Sequence, residues 1–308
     1  MRRVLVLGAT GMLGHKLVQM LAPEFEVHGT VRGRLSALGM ESVFGSASLI
    51  EGITANNPSS AAQAIVTLKP EVVINCIGLV KQLELASDPV ACIEVNALFP
   101  HFVARACESA GARLIQFSTD CVFSGAKGEY SEDDVPDPVD LYGRSKLLGE
   151  VCKSGVLTIR TSVIGRQLTG SYGLLEWLLS GKGGRIRGYK NAIYTGFTTI
   201  GMARIVASIV RCHPQLEGLW HVSSDRISKM ELLCLARDAF RLDVEIQPDV
   251  EFRCDRSLQG TKFWRATGMS VPGWPSMILE LAADPTPYDD LRERLLCIAE
   301  SSTGLHHT

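Results

Sequence analysis

Three side chains have the types and order needed to deliver a proton to a carbonyl oxygen. Tyr142 and Lys146 stand four apart in DLYGRSKLLGE, so on a helix both project from one face. A phenol with an ordinary pKa of about 10 is a poor acid–base group at neutral pH. A neighbouring ammonium, with a nicotinamide positive in its oxidised form, favours the phenolate and lowers that value, and general acid catalysis of this kind contributes about 10²–10⁴-fold. A Tyr-x-x-x-Lys spacing alone is common among surface pairs. What distinguishes this one is STD at 118–120, closing an apolar run, with Thr119 23 residues before the tyrosine. The Thr119 hydroxyl could reach the same carbonyl oxygen from the other side. Thr119, Tyr142 and Lys146 are therefore the candidate catalytic set.

A second group of residues has the chemistry of phosphate binding. GATGMLG at 8–14 follows an apolar run and opens a helical pattern. Gly8 permits a tight turn, Gly11 lets the backbone approach a pyrophosphate, and Gly14 allows close helix–sheet packing. Thr10, Met12 and Leu13 complete the loop, and the phosphates would sit at a helix N-terminus, whose free N–H groups favour negative charge. Enzymes that prefer NAD carry an acidic residue at the end of the second strand. Here that place falls near Thr30 and is followed by Arg32 and Arg34, which suit a 2′-phosphate. NADPH is the expected cofactor; the other reading of the two arginines is a solvated basic turn.

The elements that must hold these groups follow from periodicity. RRVLVLG, FEVHGTV, EVVINCIG, RLIQFSTD and VLTIRTSVIG read as strands. MLGHKLVQMLA, PSSAAQAIVTLKP, PVACIEVNALFPHFVARACESAG and LYGRSKLLGEVCKSG read as helices. Pro89 suits a first helical turn and Gly111 a helix end. Strand–helix alternation with continuous apolar strands predicts a parallel sheet covered on both faces. Beyond Gly165 the rhythm loosens, with helices at TIGMARIVASIVRC and SKMELLCLARDAF and short strands between. The expected fold is α/β: a Rossmann-type doubly wound parallel sheet with a smaller C-terminal substrate lobe. Residues 1–163 would bind NADP(H), with a returning segment near 198–222, and residues 164–308 would form the substrate lobe. The cleft would lie at the carboxyl ends of the strands.

Composition excludes several classes. The 308 residues carry a net charge of −2, which offers no footprint for nucleic acid or a membrane surface. Nine cysteines with no Cys-x-x-Cys give neither a zinc site nor a disulfide framework, so no metal is expected and a reducing cytoplasm suits them. The basic, apolar opening imitates a signal peptide but is broken by Gly8, Gly11 and Gly14. No run of 18 apolar residues occurs. A soluble cytoplasmic protein is expected.

With these motifs assembled, nearly the whole chain resembles the extended short-chain dehydrogenase/reductases. GATGMLG matches the glycine motif of that family, NCIG at 75–78 its strand-four motif, and YGRSK its active-site motif. STDCVFSG, YSEDD and YGRSKLLGE most resemble the dTDP-4-dehydrorhamnose reductase branch. The resemblance implies Thr119, Tyr142 and Lys146 as the catalytic residues, with Lys146 also binding the nicotinamide ribose. It places Cys76, Ile77 and Gly78 beside the cofactor, and Val80, Asn96 and Asp120 beside the substrate; for Asn96 a structural amide is an equal reading. It implies NADPH-dependent reduction of the 4-keto group of a nucleotide-linked 6-deoxyhexose, in deoxysugar biosynthesis. Dimerisation through helices 89–110 and 140–154 is usual in the superfamily.

Cys121 separates the neighbouring activities. Sugar-nucleotide dehydratases of the superfamily read Thr-Asp-Glu at this strand end, and a thiol cannot simply replace that carboxylate. Epimerising reductases related to GDP-fucose synthase place a cysteine two residues after the catalytic hydroxyl, where Cys121 stands. Their histidine partner has no counterpart in VIGRQLTGSYGLLEWLL, and a thiol with an ordinary pKa of about 8.5 needs activation to act as a base. Cys121 as a pocket-lining residue is the first reading, Cys121 as the base of an epimerase-reductase the second. The branch's Asp-Gln-x-Gly-x-Pro-Thr run is here GYKNAIYTGFTT, keeping only Thr195 or Thr198, so the substrate's base and sugar stay open. Lys182, Arg185, Arg187 and Arg256 are candidates for its diphosphate. Tyr189, Tyr194 and Trp264 could stack on a base or sugar, or pack in a core. The same fold also serves as a non-catalytic regulatory subunit of methionine adenosyltransferase, a third reading that the intact catalytic set opposes.

Overall fold

The computed structural model describes residues 1–33, 40, 43–81, 84–181 and 183–303. The expected parallel sheet is present. Its strands are β1 (Arg3–Leu7), β2 (Glu26–Thr30), β3 (Ser48–Ile50), β4 (Val72–Asn75), β5 (Arg113–Phe117), β6 (Val156–Arg160) and β10 (Gly218–His221). They lie in the order β10-β6-β5-β4-β1-β2-β3, every pairing parallel. The order reverses at β1, which has β2 on one side and β4 on the other; that switch opens a crevice at the carboxyl ends of the strands.

Both faces are covered, which is why β4 and β6 are buried at every residue. One face meets α1 (Gly14–Leu21) and α7 (Thr199–Cys212), with Leu17, Val18, Leu21, Met202 and Val206 in one core. The other meets α2 (Pro58–Leu68) and α4 (Phe99–Ala110), with Ile65, Phe99, Val103 and Cys107 in a second core.

The long run 89–110 is three joined segments: α3 (Pro89–Cys92), a π-helical stretch Ile93–Leu98, and α4. Asp88 caps it by accepting from Val90 N at 2.9 Å, and Gly111 ends it in the left-handed region at φ 68°. Its 22 residues are long and apolar enough to cross a membrane, yet half of that stretch is buried against the sheet.

Several element readings are corrected. The strand expected over RLIQFSTD stops at Phe117, and a 3₁₀ turn Asp120–Val122 follows. VLTIRTSVIG divides into β6 and β7 (Val163–Ile164), the latter paired with β9 (Phe197–Thr198). The helix expected over LYGRSKLLGEVCKSG, α5, covers Leu141–Leu148 only. A Cβ on Gly149 would lie 1.9 Å from the Asn96 carbonyl oxygen, so the chain passes too close to its neighbour to continue as expected.

The second half holds α6 (Leu174–Ser180), β8 (Arg185–Tyr194), β11 (Ile227–Ser228), α8 (Lys229–Ala239), β12 (Glu245–Asp255), α9 (Thr261–Thr267), α10 (Trp274–Ala282) and α11 (Tyr288–Thr303). Its strands are not uniformly short: β8 and β12 run 10 and 11 residues, pair in parallel, and take β11 antiparallel on β8. Most β12 side chains are exposed or half-buried, so neither strand shows the apolar run that marks the central sheet.

Candidate active site

The glycine loop is set by close approaches that leave no room for side chains. Gly8 has φ +83°, and a Cβ there would sit 3.0 Å from Ile77 Cγ1. A Cβ on Gly14 would fall 2.1 Å from the Gly8 carbonyl oxygen. Gly11 N donates to that carbonyl at 3.0 Å. From the end of β2, Thr30 braces the turn, its Oγ1 accepting from Gly8 N at 3.0 Å and its carbonyl from Ala9 N at 2.8 Å. Thr10, Met12 and Leu13 lie half-buried around the loop, and Arg32 is exposed just beyond β2. Arg34 and Lys182 lie outside the described residues.

Beneath the loop, His15 and Lys16 are buried. His15 Nδ1 bonds the Gly11 carbonyl oxygen at 2.9 Å, and its Nε2 bonds the Tyr288 hydroxyl at 2.9 Å. Lys16 pairs with Asp284 at 2.6 Å. Sequence reading assigned neither residue a role; a lysine inside an amphipathic helix, with apolar neighbours, was the available signal.

The loop after β4 runs past α5. Cys76, Ile77 and Gly78 follow Asn75, whose side chain accepts from Ile77 N at 3.1 Å. A Cβ on Gly78 would have Asn96 Oδ1 at 3.4 Å and Lys146 Nζ at 3.9 Å. Asn96, on the π-helical stretch, accepts from Leu79 N at 2.9 Å and donates to Ser145 Oγ at 3.3 Å. It thus ties this loop, with Val80 next along it, to α5. Burial pushes the Cys76 thiol well up.

Asp140 caps α5, accepting from Gly143 N at 2.8 Å and from Lys81 Nζ at 2.7 Å. Gly143 is pressed under the turn that follows β5; a Cβ there would lie 2.2 Å from the Cys121 carbonyl oxygen. That approach sets Tyr142 beside Thr119, whose hydroxyl acts to lower the phenol's pKa. The Thr119 hydroxyl also accepts from Cys121 N at 3.1 Å and donates to the buried Asp120 at 3.1 Å. Lys146, one turn on, is buried and donates to the Phe117 carbonyl oxygen at 2.7 Å.

The electrostatics differ from the sequence expectation. Burial pushes the Tyr142 phenol up, with Cys121, Asp120 and Asp140 acting the same way and Thr119 against them. Burial also draws Lys146 down to about 8, against the pull of Glu150. The lowering of Tyr142 expected from Lys146 together with an oxidised nicotinamide is not present in the protein alone, where burial holds the phenol protonated. A protonated phenol can give a proton to a substrate oxygen, and an ammonium and a hydroxyl stand ready beside it.

Cys121 is half-buried with Arg256 against it. The guanidinium donates to Sγ at 3.5 Å and to the Phe123 carbonyl oxygen at 2.9 Å. Burial first, then Asp120, pushes the thiol up to about 12, which Arg256 only partly opposes. Arg187 is not brought to this place. It lies on β8 seven residues before Tyr194, whose buried phenol Asp120 and Cys121 help to push up, roughly 23 Å along a strand, and faces Asp249 at 3.7 Å. Arg185 pairs with Glu245 at 2.8 Å. Tyr189 packs on Phe252 at 4.9 Å, and Trp264 sits among Phe197 and Phe263 while donating to the Ser223 carbonyl oxygen at 2.9 Å. Tyr194 packs on Trp274 at 5.5 Å. Among the described residues no cluster of metal-ligating side chains occurs.

Comparison with known proteins follows the same lines. Residues 1–252 match the family model of the RmlD substrate binding domain. The bovine (Bos taurus) methionine adenosyltransferase 2 subunit beta is 25% identical over 260 residues, 78% of this chain and 73% of that protein. The dTDP-4-dehydrorhamnose reductase of Streptomyces griseus is 35% identical over 149 residues, 48% of this chain and 43% of that protein. The crystal structure of the dTDP-4-dehydrorhamnose reductase of Bacillus anthracis, in complex with NADP, superposes with a TM-score of 0.73 at 21% identity. That match covers 91% of this chain and 99% of the other.

Proposed function

The chain belongs to the family of the RmlD substrate binding domain, and from that premise we propose that it is an NADPH-dependent reductase of the 4-keto group of a nucleotide-linked 6-deoxyhexose. The observation that carries this reading is the meeting of Thr119, Tyr142 and Lys146 at the end of β5, with the phenol held protonated by burial. The named relatives support the substrate class, one being a dTDP-4-dehydrorhamnose reductase from Streptomyces and another the Bacillus enzyme with NADP.

The residues present fit a dinucleotide. The turn at Gly8 and the approach at Gly14 form a cradle that a Cβ would fill. Gly8, Thr10, Gly11, Met12, Leu13 and Gly14 would hold the pyrophosphate, Arg32 the 2′-phosphate, and Cys76, Ile77, Gly78 and Lys146 the nicotinamide end. When bound, NADPH supplies a hydride to the carbonyl carbon. Tyr142 gives its proton to the carbonyl oxygen, and the Thr119 hydroxyl holds that oxygen from the other side. Lys146 donates to the ribose and stabilises the tyrosinate left behind. Cys121 and Arg256 line the sugar side with Asp120 and Val80, while the buried Asn96 braces the loop behind them. A thiol held protonated is a poor base, which favours plain reduction over epimerisation.

We assign the cofactor to residues 1–163 with the returning segment near 198–222, and the sugar nucleotide to residues 164–308. The described cysteines are all free, which suits a cytoplasmic site of action. A homodimer would use the exposed Ile93, Leu98, Phe102 and Leu148.

A second reading, a non-catalytic NADP(H)-binding subunit, is favoured by the longer match to the bovine beta subunit, 78% of this chain against 48% for the Streptomyces enzyme. NADPH absorbance, followed with dTDP-, GDP- and UDP-linked 4-keto-6-deoxysugars in D₂O, separates the two. Oxidation with no deuterium at C3 or C5 by NMR is the expected result. Tight NADPH binding without turnover of any sugar would select the second reading.

A further inference from the structure

Behind the proposed catalytic residues lies a buried polar chain that the reaction itself does not use. Lys146 lies in the last turn of α5 and Glu150 two residues past its end, and both grip the chain at the end of β5. Lys146 donates to the Phe117 carbonyl oxygen, and Glu150 accepts from the Ser118 hydroxyl at 2.6 Å. Ser118 N in turn donates to the Ile159 carbonyl oxygen on β6 at 2.7 Å. Arg160, the next residue on β6, closes on Glu150 with Nε–Oε1 at 2.7 Å and a second guanidinium nitrogen on Oε2 at 2.8 Å. Their side chains are only 3% and 7% exposed. The third nitrogen of Arg160 meets His221 Nε2 at 3.3 Å, and His221 Nδ1 lies 3.0 Å from the Tyr130 carbonyl oxygen. A neutral imidazole protonated on Nδ1 satisfies both contacts.

A buried ion pair is weak evidence for stability, because apolar residues of the same shape often serve as well. Its place here supplies a different reason. The titratable groups facing Lys146 are few: Glu150, two residues past the end of α5, and the Cys76 thiol just after β4, which burial keeps protonated. The β5 end offers only a carbonyl, and Asn96 a neutral amide. Arg160 faces Glu150 from β6, and His221 from β10 stands behind Arg160.

We propose that Glu150 and Arg160 are positioning residues for the reaction: the pair fixes Ser118, and so Thr119, while the Glu150 carboxylate holds Lys146 as an ammonium and Arg160 moderates that charge. The proposal rests on the assignment of Lys146 under Proposed function. Opposite substitutions should act in opposite directions. Glu150→Gln leaves Arg160 as an unopposed cation, so Lys146 loses its proton at lower pH. The alkaline limbs of NADPH affinity and of kcat/KM then move down by about one pH unit. Arg160→Met leaves the carboxylate unopposed and moves both limbs up by about the same amount. Glu150→Asp keeps the charge and returns the limb towards wild type.

A pair with a merely structural role would lower Tm in both variants and leave the limbs in place, and that result, or a shift in the same direction, overturns the proposal. Each single variant leaves a buried charge unpaired, so Ser118→Ala provides a milder test. It should lower kcat at least about tenfold, within the span of one misplaced catalytic group, with NADPH affinity unchanged. An unaltered kcat would overturn the positioning role. NADPH affinity is read without any sugar, so failure of the reductase reading and failure of this proposal are separable.

Discussion

At the scale of single residues the decisive fact is the protonation of two groups. Burial raises both the Tyr142 phenol and the Cys121 thiol, which favours the proposed role of the first as an acid and disfavours the second as a base. Tyr142→Phe should lower turnover about 10²–10⁴-fold and leave NADPH affinity nearly intact in a fluorescence titration; retained turnover would remove the mechanism. Cys121→Ser should keep kcat within a few-fold and leave the products free of deuterium in D₂O. Deuterium present with the wild type and absent with the variant would instead make Cys121 a base. The glycine loop and the Thr–Tyr–Lys triple were legible because their chemistry is written as residue type and spacing. The direction of the Tyr142 shift was not, since it depends on how deeply the phenol is buried. Nor was the partner of Arg256, since 135 positions separate it from Cys121.

At the scale of elements, backbone approaches decide the geometry. Gly143 lies inside α5, where exchange to alanine would ordinarily gain about 0.5–1 kcal/mol. Here the added Cβ would meet the Cys121 carbonyl oxygen at 2.2 Å, and the backbone of the turn must move. Gly143→Ala should therefore destabilise by about 1–3 kcal/mol in chemical denaturation and depress kcat. A gain in stability would mean that the helix and turn are not in contact. Apolar runs made the central strands readable, as in VVIN and VLTIR, although Arg160 inside the second was the overlooked sign of a buried partner. β3 was hidden in a polar stretch because an edge strand of three residues needs only Leu49 and Ile50 to anchor it. β8 and β12 were hidden because their exposed charged residues interrupt the apolar pattern.

At the scale of the whole molecule, two fully buried histidines couple stability to pH. Burial lowers His15 to about 4 and His221 to about 3, against about 6.5 in an unfolded chain. Below 6.5 the unfolded state takes up protons that the folded state refuses, so stability falls as pH falls and is retained above 6.5. From pH 7.5 to 5.0 the loss should be roughly 2 kcal/mol for each histidine, measured by denaturant unfolding at the two pH values. A flat profile would show that neither imidazole stays neutral in the fold. The grip of Asp284 and Tyr288 on Lys16 and His15 has one more consequence. The helix under the glycine loop and its polar partners are separated by 268 positions for Lys16 and Asp284 and by 273 for His15 and Tyr288, so during synthesis the helix is made well before them. Until those partners are added, the Lys16 ammonium lacks its carboxylate and His15 Nε2 lacks its hydroxyl, and burying either leaves a polar group unanswered. The helix is therefore completed only once residues 284–288 are in place, and a chain stopping before residue 284 would leave α1 without the polar partners of its underside.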